Sequence, residues 1–183
     1  KNLRIVSQSS ATGTQYLQSV GCALTRKLEQ NKEVVYVSSG EGTTSQGDFH
    51  EALNWASRER APVIFHIQDN EYAISTHKSE QTAGSVYSLV SGYENLSKIQ
   101  IDGTNFFESS LAFKQAVERA RRGKGPSVIV SNVVRLMPHS SSDDQRKYRS
   151  EEDLAKDMAR DPIELFKNSC INENFFSKKD AEK

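Results

Sequence analysis

The chain alternates short apolar runs with segments of helical periodicity, and that alternation restricts what it can fold into more than any other feature. Val34-Val35-Tyr36-Val37 and Val63-Ile64-Phe65-His66-Ile67 are rich in β-branched residues, and each reads as a buried strand. Between them Phe49, Ala52, Leu53 and Ala56 recur at the spacing of one helical face over 46–57, ahead of Pro62. The order returns downstream. A short strand is predicted over 99–102, then a helix over 108–121 with Leu111, Phe113, Ala116, Val117 and Ala120 facing inward. Gly123-Lys124-Gly125-Pro126 stops that helix, and a long buried strand follows over 127–134. A leading helix is predicted over 14–30 from Leu17, Val20, Gly21, Leu24 and Leu28. Strands alternating with helices argue an α/β fold, a three-layer parallel sheet with helices on both faces.

A length of 183 residues allows one sizeable domain, which buries roughly 70% of its unfolded surface. We place it over 1–167, with 168–183 as a polar tail or the start of a further segment, frayed over 178–183. Two polar stretches interrupt the pattern: 75–93 reads as an excursion over the surface and 137–148 as a mobile loop. With 24 basic and 24 acidic residues, nothing in the charge favours nucleic acid or a membrane surface. No apolar stretch approaches the ~20 residues that span a bilayer. Cys22 and Cys170 match no metal or redox spacing and read as free thiols in a reducing compartment. The chain opens on Lys1-Asn2-Leu3, so a fragment of something longer is expected.

In a parallel strand–helix–strand unit both strands end on the same edge of the sheet, where open α/β sheets bind ligands. Gly40-Glu41-Gly42-Thr43-Thr44 leaves the first strand there, and Asp69-Asn70 closes the second. Alone, the first motif is a tight turn, and so is the second. It has neither the Gly-Lys-Ser/Thr ending of a nucleotide loop nor the three glycines of a dinucleotide fingerprint. Paired across 29 residues, a carboxylate and an amide oxygen beside a glycine-lined helix start suit a hard cation bridged to a diphosphate. Arg135 and His139 follow the last strand and reach the same edge, with Ser140, Asp143, Tyr148 and Arg149 nearby in sequence. Ser9-Ser10-Ala11-Thr12-Gly13-Thr14-Gln15 precedes the first helix, where Ser or Thr ordinarily caps. His50, His66 and His77 form no metal set; His66 and Trp55 read as packing residues.

These residues together resemble the alpha subunit, or alpha-like half, of the thiamine-diphosphate-dependent 2-oxoacid dehydrogenases, the branched-chain type above all. The family carries Gly-Asp-Gly or Gly-Glu-Gly and then Asn at this spacing. The match runs through Gly47-Asp48, His50, Asn54, Pro62-Val63-Ile64-Phe65 and Asn70-Glu71-Tyr72-Ala73-Ile74-Ser75, and on to Asp161-Pro162-Ile163. The resemblance implies a thiamine-diphosphate-binding fold with Mg2+ on Glu41, Asn70 and the Tyr72 carbonyl. It implies Gly40, Gly42, Thr43 and Gln68 around the diphosphate, Gln68 standing where relatives commonly have Arg. It places Ser10 and Thr12 against the pyrimidine and K+ on Ser9, Ala11, Thr14 and Gln15, with Ala11 and Thr12 replacing Pro and Leu. Arg135 and His139 become the catalytic pair, His139 near the thiazolium, and Ser140 matches a regulatory phosphoserine position.

The implied partners are a beta-type half, separate or fused, in an α2β2-like assembly, and a lipoyl-bearing acyltransferase. The implied setting is the bacterial cytoplasm or the mitochondrial matrix. Such a chain is expected to be inactive without its beta half. The rivals are an acetoin or pyruvate dehydrogenase component of the same family, a transketolase-like enzyme, a degenerate half kept for assembly, and a generic nucleotide-binding α/β domain.

Overall fold

The apolar runs become the strands of one sheet. The computed structural model describes residues 4–7 and 9–181. Helix α1 (Thr14–Leu28) leads to strand β1 (Val35–Gly40), a short 3-10 helix (Glu41–Ser45), helix α2 (Gly47–Glu59) and strand β2 (Val63–Asp69). A small hairpin of β3 (Tyr72–Ala73) and β4 (Thr76–His77) comes next, and then the single-turn α3 (Val86–Leu89). Strand β5 (Ser97–Asp102), helix α4 (Phe106–Arg121) and strand β6 (Ser127–Asn132) complete the core. Helices α5 (Glu151–Met158), α6 (Pro162–Asn172) and α7 (Lys178–Ala181) close the described chain.

The sheet order is β1-β2-β6-β5, with every pair parallel. The β1–α2–β2 unit steps across the sheet in one direction, and β5–α4–β6 steps in the other. Right-handed crossovers running in opposite directions put their helices on opposite faces. Accordingly Val63, Phe65, Ile67, Val128 and Val130 pack with Tyr16, Val20, Phe49 and Leu53 of α1 and α2. Ile64, Ile101 and Ile129 pack with Ala112 and Ala116 of α4. Central strands covered on both faces have no polar side to show, which is why their sequences read as unbroken apolar runs. The step direction reverses between β2 and β6, so the carboxyl ends of those two strands border the crevice of a topological switch point.

Several elements depart from their sequence-based outline. Leu111 and Leu28 were expected inward but are 56% and 84% exposed. On α4 the buried stripe is Ala112, Ala116 and Ala120, whose small side chains admit the sheet closely and turn Leu111 aside. Leu28 is the last residue of α1, where the chain already leaves the sheet. The strand expected over 127–134 ends at Asn132, although the Val133 N–H still donates to the Asp69 carbonyl at 2.8 Å. The excursion over 75–93 is anchored: Val86 and Val90 are buried, and Ser85 and Ser88 form a capping box on α3.

The region after 148 is helical. Ser150 caps α5 by accepting from the Asp153 N–H, and Asp161 caps α6 ahead of Pro162. The polar stretch from 168 onward starts inside α6, which buries Cys170. Of the segment expected to fray, 178–181 forms α7, and 182–183 lie outside the described residues, as do 1–3 and 8. Cys22 and Cys170 are both free thiols. Among the described residues no helix is long and apolar enough to cross a membrane.

Candidate functional site

Glu41 is the first residue past β1 and Asn70 the first past β2, so register alone makes them neighbours. Glu41 is 2% exposed, an unusual state for a carboxylate. Its Oε2 accepts the Asn70 N–H at 3.4 Å, while Oε1 is buried without a hydrogen-bond partner. Burial pushes the Glu41 carboxyl above its usual range, outweighing its backbone hydrogen bonds, and the charge of Asp69 adds to the rise. The Asn70 Oδ1 accepts the Tyr72 N–H at 3.1 Å, which fixes the amide and leaves its oxygen a second lone pair. An orphaned buried carboxylate oxygen, on a side chain bonded to the residue that carries a fixed amide oxygen, is a hard donor of the kind Mg2+ takes. Among the described residues no group of three or more His, Cys, Asp and Glu is arranged to hold a metal, so any ion here depends on amide and carbonyl oxygens as well.

The two glycines differ in what they do. Gly40 has φ −77° and ψ 165°, ordinary extended backbone, and a Cβ there would meet only the Gln68 carbonyl at 3.9 Å. Gly42 is required: a Cβ would lie 2.6 Å from the Ala73 Cβ. Its bareness lets the 3-10 helix press against the β3–β4 hairpin. The expected helix start at Gly42 and Thr43 is this short 3-10 turn, and α2 begins only at Gly47. Gly42 and Thr43 still occupy first-turn positions, whose N–H groups lack intrahelical acceptors. Gln68 is exposed next to Gly40 in the ladder.

The 135–149 segment docks on the same hairpin. Arg135 donates to the Ile74 carbonyl at 2.8 Å and to the Tyr148 hydroxyl at 2.7 Å. Tyr148 donates to Asp143 at 2.6 Å, and the same Asp143 oxygen accepts the His139 N–H at 2.9 Å. These two bonds hold the Asp143 carboxyl below its usual range. Arg149 is buried, paired with Asp157 at 2.6 Å and donating to the Arg135 carbonyl at 3.1 Å. Its guanidinium lies 5.2 Å from the centre of the Tyr72 ring, and that of Arg135 lies 5.6 Å from it. The loop expected to be mobile is therefore pinned at both ends, with the His139 and Ser140 side chains exposed on it.

A family model described as the dehydrogenase E1 component matches residues 1–183. The chain belongs to that family. Over 164 residues it is 40% identical to the 2-oxoisovalerate dehydrogenase subunit alpha of Bacillus subtilis, covering 89% of this chain and 49% of that protein. Over 178 residues it is 34% identical to the pyruvate dehydrogenase E1 component subunit alpha of Staphylococcus aureus, covering 97% and 48%. The 3-methyl-2-oxobutanoate dehydrogenase subunit alpha of Mycobacterium tuberculosis is 35% identical over 168 residues, covering 91% and 46%. The chain thus spans about half the length of the curated relatives it matches. Its parallel α/β sheet fits the dehydrogenase E1 fold.

Elsewhere in this dehydrogenase E1 chain, the Ser9–Gln15 loop is engaged with itself. The Ala11 N–H donates to Ser9 Oγ at 3.3 Å, the Thr14 hydroxyl to the Ala11 carbonyl at 2.9 Å, and the Gly13 N–H to Gln15 Oε1 at 3.0 Å. Ser9, Ser10, Ala11 and Thr12 are exposed, and the N-cap of α1 is Gly13 at φ 97° with no side-chain cap. His66 lies between Tyr36 and Ser131, 2.8 Å from each hydroxyl, and burial lowers its pKa. Sequence reasoning missed Asp69 as a buried acid, Lys78 and Asp157. Only the acidic Asp69 beside Asn70 left a signal; the other two reach the site through contacts that no local pattern announces.

Proposed function

We propose that this chain supplies the magnesium–diphosphate half of a thiamine-diphosphate site in a 2-oxoacid dehydrogenase. The observation that carries this reading is the buried Glu41 carboxylate, with one oxygen unpartnered, beside Asn70 and Tyr72 at the switch point. Glu41, the Asn70 amide oxygen and the Tyr72 carbonyl would hold Mg2+. The N–H groups of Gly42 and Thr43 would face the diphosphate, with Gly40 and the uncharged Gln68 alongside. The backbone of Ser10 and Thr12 would meet the pyrimidine, and the oxygens of Ser9, Ala11, Thr14 and Gln15 would take K+. When bound, thiamine diphosphate acts as the electron sink for loss of carbon dioxide from a 2-oxoacid. Glu41 supplies negative charge in a water-poor setting, where its attraction for a cation is strong. Arg135 and Tyr148 hold the distal loop, and exposed His139 has a side chain suited to moving a proton near neutral pH.

The whole enzyme would be completed by a beta-type half in an α2β2-like assembly and would pass its acyl group to a lipoyl-bearing acyltransferase. The 40% identity to a 2-oxoisovalerate dehydrogenase alpha subunit supports a branched-chain substrate. The test is calorimetric titration of Mg2+ and thiamine diphosphate into the chain assembled with its beta-type partner. Binding should need both and should be lost in Glu41→Gln. No binding by the assembled complex would overturn the reading in favour of an assembly role. Robust decarboxylation by the isolated chain would overturn the half-site.

A further inference from the structure

The turn that carries Asn70 and Tyr72 is held in a costly backbone conformation. Glu71 at φ 71° and Ile74 at φ 57° both lie in the left-handed region, which residues other than glycine rarely enter. Two such residues within four positions persist only where their surroundings over-determine them. At the far end of the hairpin, Lys78 supplies that restraint. Its backbone N–H donates to the Glu71 carbonyl at 2.8 Å. Its ammonium lies 3.0 Å from the Glu71 carboxylate and 3.4 Å from that of Asp69. Asp69 is 5% exposed and accepts the Glu71 N–H on its other oxygen at 2.9 Å.

A carboxylate so buried needs a paired cation, and Lys78 is the cation within reach. One side chain therefore joins the end of β2 to the return of the hairpin, and Asn70 lies between the two acids it grips. The side chain is itself only partly exposed, so its bonds are less screened than those of a surface pair. Both charges also reach the Glu41 carboxyl, Asp69 raising its pKa and Lys78 lowering it, so loss of the Lys78 charge would by itself favour a cation there.

We propose that Lys78 is a positioning residue for the metal half-site: by clamping Asp69 and Glu71 it holds the left-handed turn that sets Asn70 and Tyr72 beside Glu41. This rests on reading that turn as a magnesium site. The chain assembled with its beta-type partner is titrated with Mg2+ at saturating thiamine diphosphate, in the parent, Lys78→Met and Lys78→Arg forms. Removing a group that orients metal ligands typically costs 10- to 100-fold in affinity. Lys78→Met should raise the half-saturating Mg2+ concentration about tenfold. Lys78→Arg should return it most of the way, and turnover at saturating Mg2+ should change far less than the half-saturation does.

A merely structural lysine would lower the unfolding temperature and leave Mg2+ half-saturation unmoved, and that result overturns the proposal. So does a loss that arginine does not rescue. If Lys78→Met fails to assemble, Lys78→Gln keeps a polar side chain and removes the charge that grips both acids, and the same rise is expected of it. A parent complex that takes up no Mg2+ sinks the half-site reading and the positioning role with it. A parent that binds while Lys78→Met binds equally well sinks the positioning role alone.

Discussion

The two loops expected to meet one cofactor are built in opposite ways. Glu41, Asn70 and Tyr72 sit at or just past the ends of buried strands, cross-bonded to one another and braced by Lys78 and Arg135. The Ser9–Gln15 stretch runs into the first turn of α1, is exposed over 9–12, and carries three bonds among its own residues. The first geometry arrives with the sheet. The second is defined mainly by local bonds, each worth about 1 kcal/mol, and by buried Gly13 lying close against Gln46. Under the proposed reading, the region that would grip charge is braced by the sheet, and the one that would meet a ring is held mainly by its own bonds.

Removing the charged end of the rigid region should have the largest effect. Glu41→Gln is expected to weaken Mg2+-dependent thiamine diphosphate binding by at least about 100-fold in the assembled complex. The same change should stabilise the metal-free chain at neutral pH, because it removes a buried charge. Burial raises the Glu41 carboxyl above its unfolded value, so the folded chain holds the proton more tightly. Its destabilising contribution is absent below the unfolded carboxylate range and grows as pH rises through the raised value. Chemical denaturation of the metal-free chain at pH 5 and pH 7 should show that slope in the parent and lose it in Glu41→Gln; equal slopes would break the comparison.

Arg149→Met leaves Asp157 without its charged partner, with the Arg135 N–H still on it at 3.2 Å, and should cost about 2–3 kcal/mol, read as a fall of about 5–8 °C in unfolding temperature. A smaller fall would group the 135–149 segment with the adaptable loop. Gly42→Ala drives a methyl into Ala73 and should cost about 1–2 kcal/mol. Adding Ala73→Gly should recover most of that loss, since the clash is between two Cβ atoms. Thr14→Ala should lower stability by no more than about 1 kcal/mol in sodium. A larger loss seen only in potassium would raise the N-terminal loop to the standing of the turn.

The Glu41–Asn70 pairing was legible because parallel strand–helix–strand geometry leaves few places for the two residues to go. Helix faces were read well where large apolar residues marked them, as at Phe49 and Leu53, and on α4 too, where Ala116, Ala120, Phe113 and Val117 face the core as expected; there the pattern erred in placing Leu111 inward and passing over Ala112. The caps of α5 and α6 were present in Ser150 and Asp161-Pro162, but the polar composition around them hid the helices. The anchoring of 75–93 rests on Val86 and Val90, two valines in a run of polar residues. Arg135 and His139 emerged from their place after the last strand and from the family pattern. Lys78 and Asp157 did not emerge, because ion pairs across a hairpin or between a loop and a helix depend on tertiary folding and leave no periodic trace.

Tyr72 sits where these structures meet. Its backbone bonds to Asn70, and its ring lies 5.9 Å from that of Tyr148 with Arg149 and Arg135 over it. A ring so flanked has an electronic environment set by both neighbours at once. A fluorine label on Tyr72 would therefore give a single resonance sensitive both to the hairpin and to the distal loop. Line broadening there would report exchange in either neighbour, so one aromatic side chain would register a change on both sides of the hairpin.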